Sequence, residues 1–241
     1  MNLEKAVFKI GGSILENLHS LNNTITQLNQ ISQKKLINHI IIIPGGGIYA
    51  NFIRALDREL QIGNEMAHWM AIYAMDYNGK KIGKQYSFIN LTDNLEMLRT
   101  NETKISLFLP LKHLRAYDRL PKSWDVTSDS IALYIAQELN LNQCFLIKNV
   151  DGIIDQHNEV IQTLTATKYA RLKKAGKLAK IYSNENEIKK SKPIDEYTIE
   201  IINTSKISCI LLNGAPNKSK IYNYFASTNE SDKSYTKISF K

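Results

Sequence analysis

Long apolar runs, cysteine, tryptophan and proline are all scarce in this 241-residue sequence, with two cysteines, two tryptophans and five prolines. No stretch approaches the roughly 20 apolar residues that a bilayer-spanning helix takes, so a membrane span is not expected. The start, MNLEKAVFKIGG, lacks the basic, apolar, small-residue order of a secretory leader and reads as a first strand. Cys144 and Cys209 both sit inside apolar runs. They read as core thiols in a reducing cytoplasm; a disulfide between them is the alternative. There is no internal repeat and no low-complexity linker. Neither the Walker pattern GxxxxGK[ST] nor GxGxxG occurs, which disfavours a P-loop or a Rossmann dinucleotide site.

What is present is ordinary globular material, 43% hydrophobic and 22% charged, enough for a real core. The net charge is +8. That balance fits a nucleic-acid binder, an enzyme for anionic substrates or a lysine-rich proteome. One segment, KYARLKKAGKLAKI at 168–181, is distinctly basic. An RNA groove interleaves aromatics with its charge. Here only Tyr169 and Tyr182 are near, so the stretch 168–192 reads as a solvated face or a flank to nucleotide phosphates, and nucleic acid is not the expected partner.

Apolar patterning alternates between two periods. AVFKIGG, HIIIIPGGG, KISLFLPL, CFLIKNVDGI, SCILLNG and YTKISF read as strands, and a continuous apolar run such as HIIIIP suits a sheet covered on both faces. Residues 21–35, 49–60, 64–77, SDSIALYIAQEL and PIDEYTIEII read as helices. Strands alternating with helices predict an α/β fold, a three-layer αβα sandwich around a largely parallel central sheet. The expected organisation is one domain over 1–241 with two lobes that meet near residue 140.

Two glycine turns carry the chemistry. KIGGS at 9–13 and PGGGIYANF at 44–52 each place glycines just after a strand, where backbone N–H groups can approach a phosphate. Lys9 lies two residues before the first pair, within reach of a transferring phosphoryl group. A helix start at SWDVTSDSIA adds Asp125, Asp129 and four hydroxyls. Ser128 or Asp129 would cap that helix. Asp129 would also hold Lys9 by charge-assisted hydrogen bonds. His68 reads as structural.

Taken in order, KIGGS, the GGG turn, the T-S-D-S helix start and NVDGI resemble the amino acid kinase superfamily, whose fold the chain is then expected to share. EMAHWMAIYAMDYNG and LPKSWDVTSDSIALYIA resemble its methanofuran-biosynthesis branch more narrowly. The resemblance implies ATP and Mg²⁺ as cofactors and a small phosphorylated metabolite, an aminomethyl-furan methyl phosphate, as acceptor. It implies Lys9, Asp129 and Lys148 as catalytic residues. It sets Gly11, Gly12, Asp151 and Gly152 on the nucleotide and Gly45, Gly46, Gly47 on the acceptor. Asp125 or Asp76 would pair with the acceptor's amine, and Trp69 or Trp124 would cover its furan ring. No protein metal ligand is assigned. The lobe over about 1–140 would bind the acceptor and that over 141–241 the nucleotide, in a cytoplasmic homo-oligomer. No histidine follows the GGG turn, unlike in isopentenyl phosphate kinases, which argues against an isoprenoid acceptor. A uridylate-kinase-like enzyme and a non-catalytic binder on the same fold are the alternatives.

Overall fold

The computed structural model describes residues 3–100, 103–117, 119–179 and 193–240. The chain opens with β1 (Leu3–Ile10), α1 (Gly12–Leu15), α2 (Leu18–Gln33) and β2 (Ile37–Pro44). A helical pair, α3 (Gly47–Leu60) and α4 (Asn64–Gln85), leads to β3 (Asn90–Thr92), α5 (Leu95–Arg99), β4 (Ile105–Phe108) and α6 (Leu111–Ala116). Then come α7 (Ser128–Glu138), β5 (Gln143–Lys148), β6 (Thr163–Thr165) and α8 (Ala166–Lys174). The chain closes with α9 (Glu196–Ser205), β7 (Ser208–Asn213), α10 (Lys220–Ala226) and β8 (Tyr235–Ser239).

The strands form one eight-stranded sheet in the order β3-β4-β2-β1-β5-β7-β8-β6. Every pairing is parallel except β7 with β8. The sheet runs unbroken past residue 140, because β1 pairs with β5 from Val7↔Cys144 to Ile10↔Ile147. Helices cover both faces. One core joins Val7, Leu146 and Leu211 to α7 and α9; the other joins Phe8, Ile10 and Phe145 to α2 and α10. This is the expected three-layer sandwich. No helix among the described residues is long and apolar enough to cross a membrane.

Most elements follow the apolar pattern. In α2, Leu21, Ile25, Leu28 and Ile31 are all buried, and Asn17 caps the start by accepting from the Ser20 N–H. The helix expected to end at 77 instead runs to Gln85, through Asn78 and Gly79. A Cβ on Gly79 would lie 2.6 Å from Leu109 Cδ2, so the glycine lets α4 close onto the leucines of the sheet. β3 and β6 escape sequence patterning because three residues are too few for a period. The basic stretch begins as α8, and its residues 180–192 lie outside the described chain. Cys144 and Cys209 are neighbours in the β5–β7 register, buried and unbridged.

Topology sets the site. From β1 the chain builds outward through β2 to β4 and β3, then returns to the other side of β1 with β5. The crevice at the carboxyl ends of β1 and β5 is therefore a topological switch point, where such sheets bind ligands. Phe8 and Phe145 stack across that junction at 4.9 Å. Phe145→Ala is expected to lower the unfolding free energy by about 3–5 kcal/mol in urea titrations, as for other buried aromatics.

Candidate active site

β1 supplies Lys9. Side chains alternate along a strand. With Phe8 and Ile10 packed against the α2 layer, Lys9 turns the other way, towards α7. There its Nζ lies 2.7 Å from Asp129 Oδ1. Lys148, the last residue of β5, donates to the same carboxylate at 2.8 Å (Oδ1) and 2.6 Å (Oδ2). The triad is deeply set: Lys9 is 3% and Asp129 2% exposed. Lys148 is the more open head.

Burial pushes the Asp129 carboxyl up, but Lys148 and Lys9 outweigh it and bring the group down to about 2. Burial, joined by the neighbouring Lys148 ammonium, lowers Lys9 to about 8 against the pull of Asp129. One carboxylate thus faces two ammoniums, and the surplus positive charge points at the mouth of the crevice. An anion with several oxygens is the natural complement.

The two glycine turns meet beside the triad. A Cβ on Gly12 would lie 2.9 Å from Gly47 Cα, and Gly47 has φ +55°, so a side chain at either position would separate or strain the turns. Two of the glycine amides are not free donors. The Gly11 N–H donates to the Ile147 carbonyl and the Gly45 N–H to the Ile10 carbonyl, both at 2.9 Å. These two glycines give room, Gly11 between Lys9 and Lys148, rather than hydrogen bonds. Gly47 opens α3, whose first-turn amides have no intrahelical partners. Glu16 Oε1 borders both Gly12 and Gly47.

The cap of α7 is Thr127, not Ser128 or Asp129: its hydroxyl accepts from the Asp129 N–H. Two hydroxyls of SWDVTSDSIA, those of Thr127 and Ser130, share a partner the sequence reading missed. Asp195, from the N-cap of α9, accepts from both Thr127 and Ser130. Asp195 has a legible local signal, an aspartate just before a helical pattern. Its reach across to α7 has none.

A small cavity beside the glycine turn is lined by Gly46, Arg54, His68, Trp124, Thr127 and Ser128. Arg54 stacks on the Trp124 ring at 4.5 Å, and Trp124 Nε1 donates to Asp57 at 2.7 Å. Neither Arg54 nor Asp57 was anticipated from sequence. Asp125 is exposed and outside this lining, while its carbonyl accepts from the Tyr197 N–H. Asp76 is buried, accepts from the Leu111 N–H and lines neither this cavity nor the outer cleft where Trp69 lies. Burial raises Asp76 to about 6. Through the Leu111 bond it tethers α6.

At the far side, Asp151 accepts from Asn213 Nδ2 at 2.8 Å and meets Lys218 at 3.5 Å. Gly152 is required by packing, since a Cβ there would lie 2.4 Å from Thr236 Oγ1. Among the described residues no three His, Cys, Asp or Glu side chains gather into a metal-binding group.

Asp129→Ala would leave two lysine heads without their counter-charge. Breaking a buried pair in this way is expected to cost about 3–5 kcal/mol in urea unfolding near neutral pH. The loss should shrink as pH falls from the ordinary carboxyl value of 3.8 through about 2, where the wild-type carboxylate itself protonates.

The [5-(aminomethyl)furan-3-yl]methyl phosphate kinase of Methanocaldococcus jannaschii is 32% identical over 210 residues, 86% of this chain and 87% of that one. The UMP kinase of Ureaplasma parvum superposes with a TM-score of 0.69 at 18% identity, covering 99% of this chain and 97% of that one. The uridylate kinase of Archaeoglobus fulgidus gives 0.65 at 16% identity, over 98% and 100%. Residues 4–213 match the model of the amino acid kinase family. A lysine–aspartate–lysine triad at the switch point of a fold shared with these enzymes fits that match over most of the chain: the protein is a phosphotransferase of the amino acid kinase family.

Proposed function

We propose that the protein transfers the γ-phosphoryl group of ATP to the phosphate of [5-(aminomethyl)furan-3-yl]methyl phosphate, giving the diphosphate and ADP. The observation that carries the reading is the Lys9–Asp129–Lys148 triad, set against two abutting glycine turns. The choice of acceptor rests on the relative at 32% identity, which is named for that substrate. Arg54 supports a phosphate acceptor: among the described residues its guanidinium meets no carboxylate, and it flanks Gly46 and the start of α7. UMP is the acceptor of the second reading, favoured by a likeness to UMP kinases that extends over nearly the whole fold.

In this reading residues 1–140 bind the acceptor and residues 141–241 the nucleotide. An acceptor phosphate oxygen attacks the γ-phosphorus in line, and the bond to the ADP oxygen breaks. The acceptor is already ionised, so no general base is required. Lys9 and Lys148 neutralise charge on the transferring group, Asp129 fixes their heads, and the glycine turns let backbone approach the phosphates. The described residues offer no carboxylate cluster for Mg²⁺, and Asp129 is committed to two lysines. The ion would arrive on the phosphate oxygens of ATP, and no step is assigned to it. We place the enzyme in the cytoplasm, where its paired buried thiols stay reduced.

The partner surface is a second copy of the chain. Met66, Met70, Tyr73 and Tyr77 recur along α4 at coiled-coil spacing, all well exposed, and with Tyr49 and Phe52 of α3 they line an apolar cleft of about 970 Å³. Half-exposed side chains of that size offer roughly 100 Å² each. With their apolar neighbours the face approaches the ~800 Å² per partner of a stable interface. Glu65 at one end of α4 and Lys80, Lys81 and Lys84 at the other suit an antiparallel two-fold pairing. In sedimentation velocity the wild type is expected to run as a dimer or larger and Tyr73→Glu as a folded monomer; a monomeric wild type would contradict this.

Purified protein with Mg·ATP is expected to release ADP with the aminomethyl-furan methyl phosphate and not with UMP or isopentenyl phosphate. Lys9→Ala should abolish it. Turnover with UMP alone would install the second reading. Because Lys9 loses its proton as pH rises through about 8, kcat/KM for ATP should fall above that pH. Asp129→Asn, which removes the counter-charge, should move this limb to lower pH.

A further inference from the structure

Asp195 is 8% exposed and has no cation within ion-pair distance among the described residues. It is nevertheless saturated. Oδ2 accepts from the Thr127 N–H and hydroxyl, both at 2.8 Å, and from the Ser130 N–H at 3.1 Å. Oδ1 accepts from the Ser130 hydroxyl at 2.5 Å, the Thr198 N–H at 2.8 Å and the Thr198 hydroxyl at 2.7 Å. Capping α9 needs only the bonds to Thr198. The remaining four go to a helix 65 or more residues away in sequence. They grip Thr127 and Ser130, the residues on either side of Ser128-Asp129. The hold on Asp129 is close to direct, because the Thr127 hydroxyl that donates to Asp195 also accepts from the Asp129 N–H.

We infer that Asp195 is a positioning residue for phosphoryl transfer: it locks the first turn of α7 so that the Asp129 carboxylate stands between Lys9 and Lys148. The inference rests on the triad's assigned role in the proposed reaction. Asp195 touches no reacting atom and acts through Asp129. A buried carboxylate without a cation is a costly way to join two helices, and apolar contacts between α7 and α9 already do so through Ile131, Ile135, Ile201 and Ile202. What six donors on one rigid carboxylate add is a fixed rotational setting of the α7 start. A displacement near 1 Å at such a site costs on the order of 100-fold in rate. A second link agrees with this: the Tyr197 N–H, two residues on, donates to the Asp125 carbonyl and holds the approach to Thr127.

The test compares wild type with Asp195→Asn, which still caps α9 but cannot accept from all six donors. Assays are run at a temperature where circular dichroism shows both folded. Two readouts are taken. With the acceptor that wild type turns over, kcat is expected to fall roughly 100-fold while KM for ATP stays within about threefold, the pattern of lost transition-state positioning. Independently of any acceptor, the Lys9 side-chain ¹³Cε resonance, assigned by its loss in Lys9→Arg, is followed against pH. The groups facing Lys9 are Asp129 on α7 and Lys148 and the Cys144 thiol on β5, with Ile43 of β2 beside it. If Asp129 is loosened, Lys9 keeps the lysine that repels it and loses hold of the carboxylate, so it should titrate at lower pH than in wild type. Should the variant keep kcat within threefold and the wild-type Lys9 titration, losing only thermal stability, Asp195 is a helix cap and the inference is overturned. If no acceptor is turned over by wild type, the proposed substrate fails, and the Lys9 titration alone decides the positioning role.

Discussion

Asp129 sets one negative charge against two ammoniums in a place almost closed to water, and the surrounding fold is organised around that imbalance. A buried carboxylate is unfavourable alone, and so is a buried lysine. Together they are tolerable, and the third charge leaves the group net positive at the open end of the crevice. The same burial makes the arrangement selective. Lys9 sits near its titration point, and Asp129 stays ionised over any physiological range. The crevice is thus prepared for an anion before one arrives, with little reorganisation left for the moment of reaction.

Each part of the triad comes from a different element, so the sheet and its covering helices must all be in register. Lys9 needs the alternation of β1 and the pairing that brings Lys148 alongside it. Asp129 needs the start of α7, which Thr127 caps and Asp195 holds from α9. The glycine turns close the remaining side because Gly12 and Gly47 lack side chains. The triad is therefore a junction between distant segments, and the aromatic stack of Phe8 on Phe145 packs the opposite face of that junction.

Much of this was legible in the sequence, and the limits have physical causes. Six of the strands were read from their apolar residues, and those of β1, β2, β5 and β7 are near-continuous because both faces are covered. The short edge strands β3 and β6 carry no period to detect. KIGGS, PGGG and the TSDS helix start pointed to Lys9 and Asp129 as a pair, because lysine, glycine and carboxylate at strand exits have a chemistry of their own. What sequence could not supply was the direction of hydrogen bonds. Gly11 and Gly45 looked like amide donors but spend those amides on the sheet. Asp76 looked like a substrate contact but is buried against α6. Thr127 and Ser130 gained a common partner only when Asp195 came across from α9, and Arg54 and Asp57 gained meaning only when α3 met Trp124.

Where the phosphates lie is shown most directly by a crystal structure with Mg²⁺, a non-hydrolysable ATP analogue and the acceptor phosphate. Both Lys9 Nζ and Lys148 Nζ are predicted to contact oxygens of the terminal phosphoryl group while Asp129 still bridges them, with the acceptor phosphate between that group and Gly46. Phosphates bound away from an unchanged Lys9–Asp129–Lys148 triad would contradict this.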